Sequence, residues 1–306
     1  MSSLWATPVE AVIAKSPESG GPMNAELGGL FDLSGKIAVV TGGGGDLCSV
    51  MGRALSAAGA RVAILDLSLE KSEAVAASIE TSGGKALAFV CDVLDEGALR
   101  RTDEAIRSVW GVPDILINGA GGNVPSGTTK VEFIDPERPG DLSARDFYAL
   151  EFEGVRKTFD LNFLGTFLPS QILTRGMVER GSGAVLNIAS MGALIPLTQV
   201  GAYSAAKAAV ANFTAWLAVH FAKTGVRVNA LAPGFLMTEQ LRFLHVDQVS
   251  GEPTPRSRKV MAHTPMGRYG RPEELIGGML YLVSEASAFV TGIVLPIDGG
   301  FSSYSI

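Results

Sequence analysis

Tyr203 and Lys207 stand four residues apart in an alanine-rich run, GAYSAAKAAVANFTAWLAVH, that reads as a helix, so the two side chains share one face. An ammonium beside a phenol favours the phenolate and would lower the Tyr203 pKa toward the working range of a general acid or base. Ser190, thirteen residues before Tyr203, closes the apolar run GAVLNIAS. A hydroxyl at a strand end can enter the same space and hold a substrate oxygen. Tyrosine and lysine at helical spacing are commonly no more than a surface pair, but a second constellation upstream changes their weight.

That constellation is TGGGGDLC, residues 41–48, directly after the apolar run KIAVV. A glycine-rich turn between strand and helix lets backbone N–H groups of Gly42 to Gly45 and Leu47 approach a pyrophosphate at a helix N-terminus. Asp66 ends the next apolar run, RVAILD, 24 residues beyond Gly42. A carboxylate there can accept from ribose hydroxyls and would repel a 2′-phosphate, and LSLE after it offers no arginine. NAD(H) is therefore favoured over NADP(H), although Asp66 could instead be a helix cap before LSLEKSEA. Asp92 in FVCDV could meet the adenine edge, and the small residues of NGAGG, with Asn118, Ala120 and Gly121, would let backbone pass close to a ribose. Asp46 and Cys48 occupy places where glycine would be expected. Asp46 is expected to cap the helix with its side chain turned from the phosphates.

Seven short β-branched runs alternate with stretches of helical period from Lys36 onward. Runs that are apolar throughout are buried on both faces, which means a parallel sheet with helices on each side. The expected fold is α/β, a Rossmann-type, doubly wound seven-stranded sheet in a single domain over 34–306, with helices near 46–58, 69–81, 95–109, 144–180, 200–224 and 272–285. Residues 1–33 read as an arm, with one short helix near 8–15. Two connections, 119–143 and 235–263, are long and follow strand C-terminal ends, where open α/β sheets bind ligands, so both are expected to wall a substrate pocket.

Composition limits the partners. The chain of 306 residues is 47% hydrophobic and 18% charged, with a net charge of -6 that argues against nucleic acid or an anionic membrane. Its only cysteines, Cys48 and Cys91, have no CxxC or histidine companion, so no disulfide framework or metal site is suggested and both should be small buried residues. No basic n-region precedes a long apolar core and no apolar stretch approaches membrane length, making a cytoplasmic enzyme with a small-molecule substrate the expectation.

Over residues 34–300 the sequence closely resembles the short-chain dehydrogenase/reductase family, through TGGGG, Asp66, CDV, NGAGG, Asn162 in DLNFLG, Ser190, the Tyr203–Lys207 pair, APGFLMT and the terminal IDGG. The resemblance implies Tyr203 as proton donor or acceptor at the carbinol oxygen and Ser190 hydrogen-bonding that oxygen. It implies Lys207 on the nicotinamide ribose, Asn162 holding a water that links Lys207 to solvent, and Pro233, Gly234, Leu236 and Thr238 at the nicotinamide end. It also implies Leu67 and Val93 in the cofactor site.

TGGGGxLC, NGAGGN, FDLNFLGTFLPSQ and HTPMGRYGRPEELIG look like the family's D-mannonate oxidoreductase (fructuronate reductase) branch, though Val124 stands where a histidine would be expected. The implied substrate is a sugar acid, with Asn123, Gln199, Gln240, Arg242 and His263 as candidate ligands. RSRK, residues 256–259, reads as a solvated basic face, and His220 and His245 as packing or solvent. The alternatives are a dehydrogenase of another polyol, gluconate or cyclic alcohol, or a non-catalytic dinucleotide sensor, whose usual mark is a lost catalytic residue. A homo-tetramer or dimer through helices around 150–180 and 200–224 is expected from the family, in keeping with a mean hydropathy of +0.27.

Overall fold

In strand after strand, alternate residues enter different cores. Ala38 and Val40 face one cluster and Ile37 and Val39 the other; Val62 and Ile64 oppose Ala63 and Leu65, and Ile115 and Ile117 oppose Leu116. This period of two with apolar residues at every position makes a sheet with no wet face. The structure is a computed structural model that describes residues 27–238, 241–242, 245–247 and 250–305.

Seven strands form one sheet: β1 Ile37–Thr41, β2 Arg61–Asp66, β3 Lys85–Val90, β4 Ile115–Asn118, β5 Gly183–Ile188, β6 Val226–Pro233 and β7 Val294–Ile297. Their order is β3-β2-β1-β4-β5-β6-β7, and every pairing is parallel. On one face lie α1 Asp46–Ala57 and α2 Leu69–Thr81. On the other lie α3 Glu96–Val109, the helical run from α4 Phe152–Phe159 through α5 Gly165–Leu173 to α6 Arg175–Arg180, and α7 Gly201–His220. Two later helices, α8 Pro255–His263 and α9 Ile276–Val283, follow β6, and α9 packs on α1 on the first face. Among the described residues no helix is long and apolar enough to cross a membrane.

The single helix expected over 144–180 is broken. Asp146 caps a short turn at 147–149, α4 follows, and Asp160–Leu164 is a π-helical segment that leads into α5, which contains Pro169. Proline has no N–H for its turn, and a π segment inserts an extra residue that re-aims the side chains around it. Asn162 is the residue so aimed, and it is fully buried.

The arm expected over 1–33, and its helix near 8–15, lies largely outside the described residues. Leu33 is 2% exposed, and its N–H donates to Ala58 O at 2.8 Å, so the core already includes the arm's last residue.

Candidate active site

The sheet register brings the C-terminal ends of the strands to one edge. Thr41 pairs with Leu65 on one side and Asn118 on the other, and Asn118 pairs with Asn187. Thr41 is a junction that sequence reading passed over: its Oγ1 accepts from Gly119 N–H at 3.1 Å and Ala120 N–H at 3.3 Å. A threonine at a strand end just before a glycine turn was the available signal.

Gly42 has φ +61°, and a Cβ there would lie 2.8 Å from Ala120 Cα, so backbone meets backbone at the crossing of the two turns. Gly44 N–H donates to Asp66 Oδ2 at 3.0 Å and Ser68 N–H to Asp66 Oδ1 at 3.0 Å. Both carboxylate oxygens of Asp66 are thus oriented beside the glycine turn, while Ser68 is the cap of α2. The cap expected at Asp46 is one residue off: Gly45, extended at φ -76° and ψ 160°, is the N-cap of α1, and Asp46 is its first residue. An acidic residue in the first turn still complements the helix dipole.

Cys48 fills the space over Gly119, where an added Cβ would overlap its Sγ. Burial pushes its thiol up to about 12, a neutral packing group, with the charges of Lys207 and Asp66 as lesser influences. Leu67 and Asp92 are exposed at the edge and Val93 is buried against Gly165. The Asn118 side chain turns inward instead, its Nδ2 donating to Ser170 Oγ and Asn187 Oδ1, both at 2.8 Å.

Ser190 lies two residues past β5, caps the turn 191–193 and accepts from Gly192 N–H at 3.1 Å. Its hydroxyl lies near that of Tyr203, in the first turn of α7, and lowers the pKa of the phenol. Ser204, Lys207, Val210, Thr214 and Leu217 form the buried stripe of α7, which carries Lys207 into the sheet. Lys207 Nζ donates to Ile188 O at 2.7 Å and stands 5.7 Å from the Tyr203 ring centroid.

The electrostatics correct one expectation. Burial pushes the Tyr203 phenol up, with the Ser190 hydroxyl pulling against it, while the Lys207 ammonium lies over the ring. Burial depresses Lys207 to about 8. Asn162 grips the β4 turn: it donates through Nδ2 to Gly122 O at 2.7 Å and Thr158 O at 2.8 Å, and accepts from Gly122 N–H at 3.0 Å. A Cβ on Gly121 would lie 2.7 Å from Asn162 Oδ1 and 3.0 Å from Lys207 Nζ, so the cleft narrows there onto polar atoms.

Past β6, Gly234 N–H donates to Ile297 O at 2.9 Å, Leu236 bridges to Gly270, and Thr238 O accepts from Arg242 N–H at 2.8 Å. Gln240 lies outside the described residues. Asn123 and the Arg242 side chain are exposed. His263 packs on the C-terminal segment, its ring 4.6 Å from Phe301 and 5.2 Å from Tyr304. Val124 accepts through its carbonyl from Gly127 N–H and Thr128 Oγ1, a role that no side chain decides.

Gln199 is placed among loop partners: its Nε2 donates to Lys130 O at 2.8 Å and its Oε1 accepts from Arg256. The basic face expected at 256–259 is therefore partly a tie, with Lys259 Nζ 2.8 Å from Glu132. Through these bonds the segment 119–143 meets helix α8 of the segment that follows β6. His245 is buried beside Tyr269 and Phe235, and burial with the Arg256 charge lowers it to about 4, a neutral ring.

The narrow turn at Gly42, the oriented Asp66 carboxylate and the cleft at Gly121 fit a dinucleotide running along this edge. Residues 48–302 match a family model described as enoyl-(acyl carrier protein) reductase. The chain is similar to the uncharacterized oxidoreductase UxuB of Bacillus subtilis (strain 168), 48% identical over 275 residues, 90% of this chain and 97% of that one. D-threitol dehydrogenase of Mycolicibacterium smegmatis is 34% identical, over 89% of this chain and 95% of its own. A solved structure of a proposed D-mannonate oxidoreductase from Haemophilus influenza, with bound NAD, superposes at a TM-score of 0.86 with 45% identity, covering 91% of this chain and 99% of the other.

Proposed function

Since this chain belongs to the short-chain dehydrogenase/reductase family, we propose that it is an NAD-dependent oxidoreductase interconverting D-mannonate and D-fructuronate. The observation that carries the reaction class is the Ser190 hydroxyl near the Tyr203 phenol with buried Lys207 beneath the ring, set at the strand edge that bears the glycine turn and Asp66. The sugar-acid reading is supported by likeness to the NAD-bound Haemophilus protein, and the polyol alternative by likeness to D-threitol dehydrogenase.

Bound NAD supplies the hydride acceptor, and NADH the donor, at the carbinol carbon. In oxidation Tyr203 takes the hydroxyl proton, and in reduction it returns one to the carbonyl oxygen. Ser190 holds that oxygen in place. Lys207 sets a positive charge beneath the phenol ring, and Asn162 fixes the Gly122 backbone at the cleft.

Purified protein should oxidise NADH with D-fructuronate and prefer NADH over NADPH by about tenfold or more, because Asp66 repels a 2′-phosphate. Absence of turnover on every hexuronate and 2- or 5-ketogluconate removes the sugar-acid reading; NAD reduction by D-threitol alone establishes the polyol one.

The reading includes a second copy of the chain and a cytoplasmic setting, the latter in keeping with two free, buried cysteines. A groove of about 420 Å³ between α5 and α7 carries Phe167, Phe213 and Trp216, and Trp216 and Val219 are 55% and 77% exposed. An exposed apolar helix face of this kind favours burial against its own copy. Light scattering should give a multiple of 31.9 kDa, falling in Val219→Asp; a wild-type mass of 31.9 kDa excludes the assembly.

A further inference from the structure

Gln199 is one of two described non-glycine residues with positive φ, at +72°. Such backbone is costly for glutamine and persists only where surroundings hold it. Here its carbonyl accepts from Thr129 N–H at 2.9 Å, its Nε2 donates to Lys130 O, and its Oε1 accepts from Arg256 Nη1. One bond fixes the backbone and two the side chain, four residues before Tyr203, so that the amide oxygen presents to a guanidinium.

Arg256 is half-buried. Its basic neighbours are neutralised or occupied: Lys259 by Glu132, Arg268 by Glu274, and Arg258 by Pro253 O. Among the described residues no carboxylate lies within ion-pair distance of Arg256. Its other close groups are His245, a neutral ring, and Tyr269, both of which feel its charge. Those two pack on Phe235, directly after the Pro233–Gly234 turn. This cation, without a carboxylate partner among the described residues, sits between the loop leading to Tyr203 and the segment that follows β6. A guanidinium with one neutral acceptor keeps most of its five donors for a planar anion.

We propose that Arg256 recognises the carboxylate of the substrate, and that Gln199, in its left-handed conformation, holds the guanidinium for it. This deepens the sugar-acid reading and rests on it. Arg256 acts as a specificity residue at the far end of the substrate from the carbon that reacts, and Gln199 as a positioning residue. A neutral polyol gains nothing from it, so the clasp selects acids over their uncharged analogues.

The test is steady-state reduction of D-fructuronate and of D-fructose, a neutral ketose of similar size, by wild type, Arg256→Met, Arg256→Lys and Gln199→Ala. For Arg256→Met the KM for D-fructuronate should rise about 100-fold with kcat within about threefold, and the preference over D-fructose should fall about as far. The KM for NADH reports that each variant is folded and should stay within about twofold. Arg256→Lys should recover part of the loss, because it keeps the charge without the fork, and Gln199→Ala should show a rise of about tenfold. Equal losses on acid and neutral ketose in Arg256→Met, or an unchanged KM for the acid, would overturn the clasp and leave Arg256 a tie between loops. Wild type that reduces only neutral ketones removes the sugar-acid reading itself, a failure visible before any variant is made.

Discussion

Tyr203→Phe should lower kcat about 10³-fold in both directions, the range expected when a general acid–base group is removed. Phenylalanine keeps the ring that packs at the start of α7 and the face over which Lys207 Nζ lies. What it removes is the hydroxyl near Ser190, the group proposed to carry the proton to and from the carbinol oxygen. NADH binding, read by fluorescence titration, should weaken by no more than about tenfold, the worth of one neutral hydrogen bond. The pH dependence carries a sign. Burial raises the Tyr203 pKa, so the phenol form dominates at neutral pH. Ketone reduction needs that acid form and should be flat near neutrality, whereas alcohol oxidation needs the phenolate and should climb with pH. Turnover within tenfold of wild type in the variant, or an alkaline limb that survives it, would remove Tyr203 from the chemistry.

The elements that position this site were legible because their signal is local. Each strand is built on a short, largely apolar run, and a parallel sheet covered on both faces is the arrangement that takes seven of them. Ser190, Tyr203 and Lys207 share that legibility, since a strand end and a four-residue helical step fix where their Cα atoms go. Directions of side chains were less readable. Spacing puts Lys207 near Tyr203, but the Ile188 carbonyl decides where Nζ points, and that acceptor is 19 residues away in the chain. The break at 160–164 depends likewise on Asn162 gripping Gly122, a bond across 40 residues. The sequence places Arg256 on a solvated face for the same reason. Four basic or polar residues on a helix default to solvent, yet Ser257 is buried and the tertiary meeting with Gln199, 57 residues away, holds Arg256 half-buried. Cys48 in place of glycine is explained by its neighbour, because Gly119 leaves the room that the sulfur takes.

Lys207→Met should be nearly as damaging to turnover, about 10²-fold or more, and it separates the lysine's work from its burden on stability. Lys207 is 3% exposed and rests on one carbonyl, so the fold holds an ammonium that burial disfavours. Its pKa falls from an ordinary 10.5 to about 8. Below pH 8 the group is protonated folded and unfolded, and the burial penalty is present in full. Between pH 8 and 10.5 the unfolded chain binds a proton that the folded one does not, so raising pH favours folding through this group. Above 10.5 the dependence ends, after a total gain of about 3 kcal/mol at 1.36 kcal/mol per unit. Methionine has similar bulk, adaptable rotamers and no charge, and cannot show this gain. Urea unfolding of both proteins at pH 7.5, 9 and 10 should therefore show wild type gaining on the variant as pH rises. Parallel profiles across that window would mean that Lys207 titrates as a solvated lysine. A divergent pair with turnover lost would show a charge kept buried for the sake of the phenol above it, stability given up where the site needs a cation.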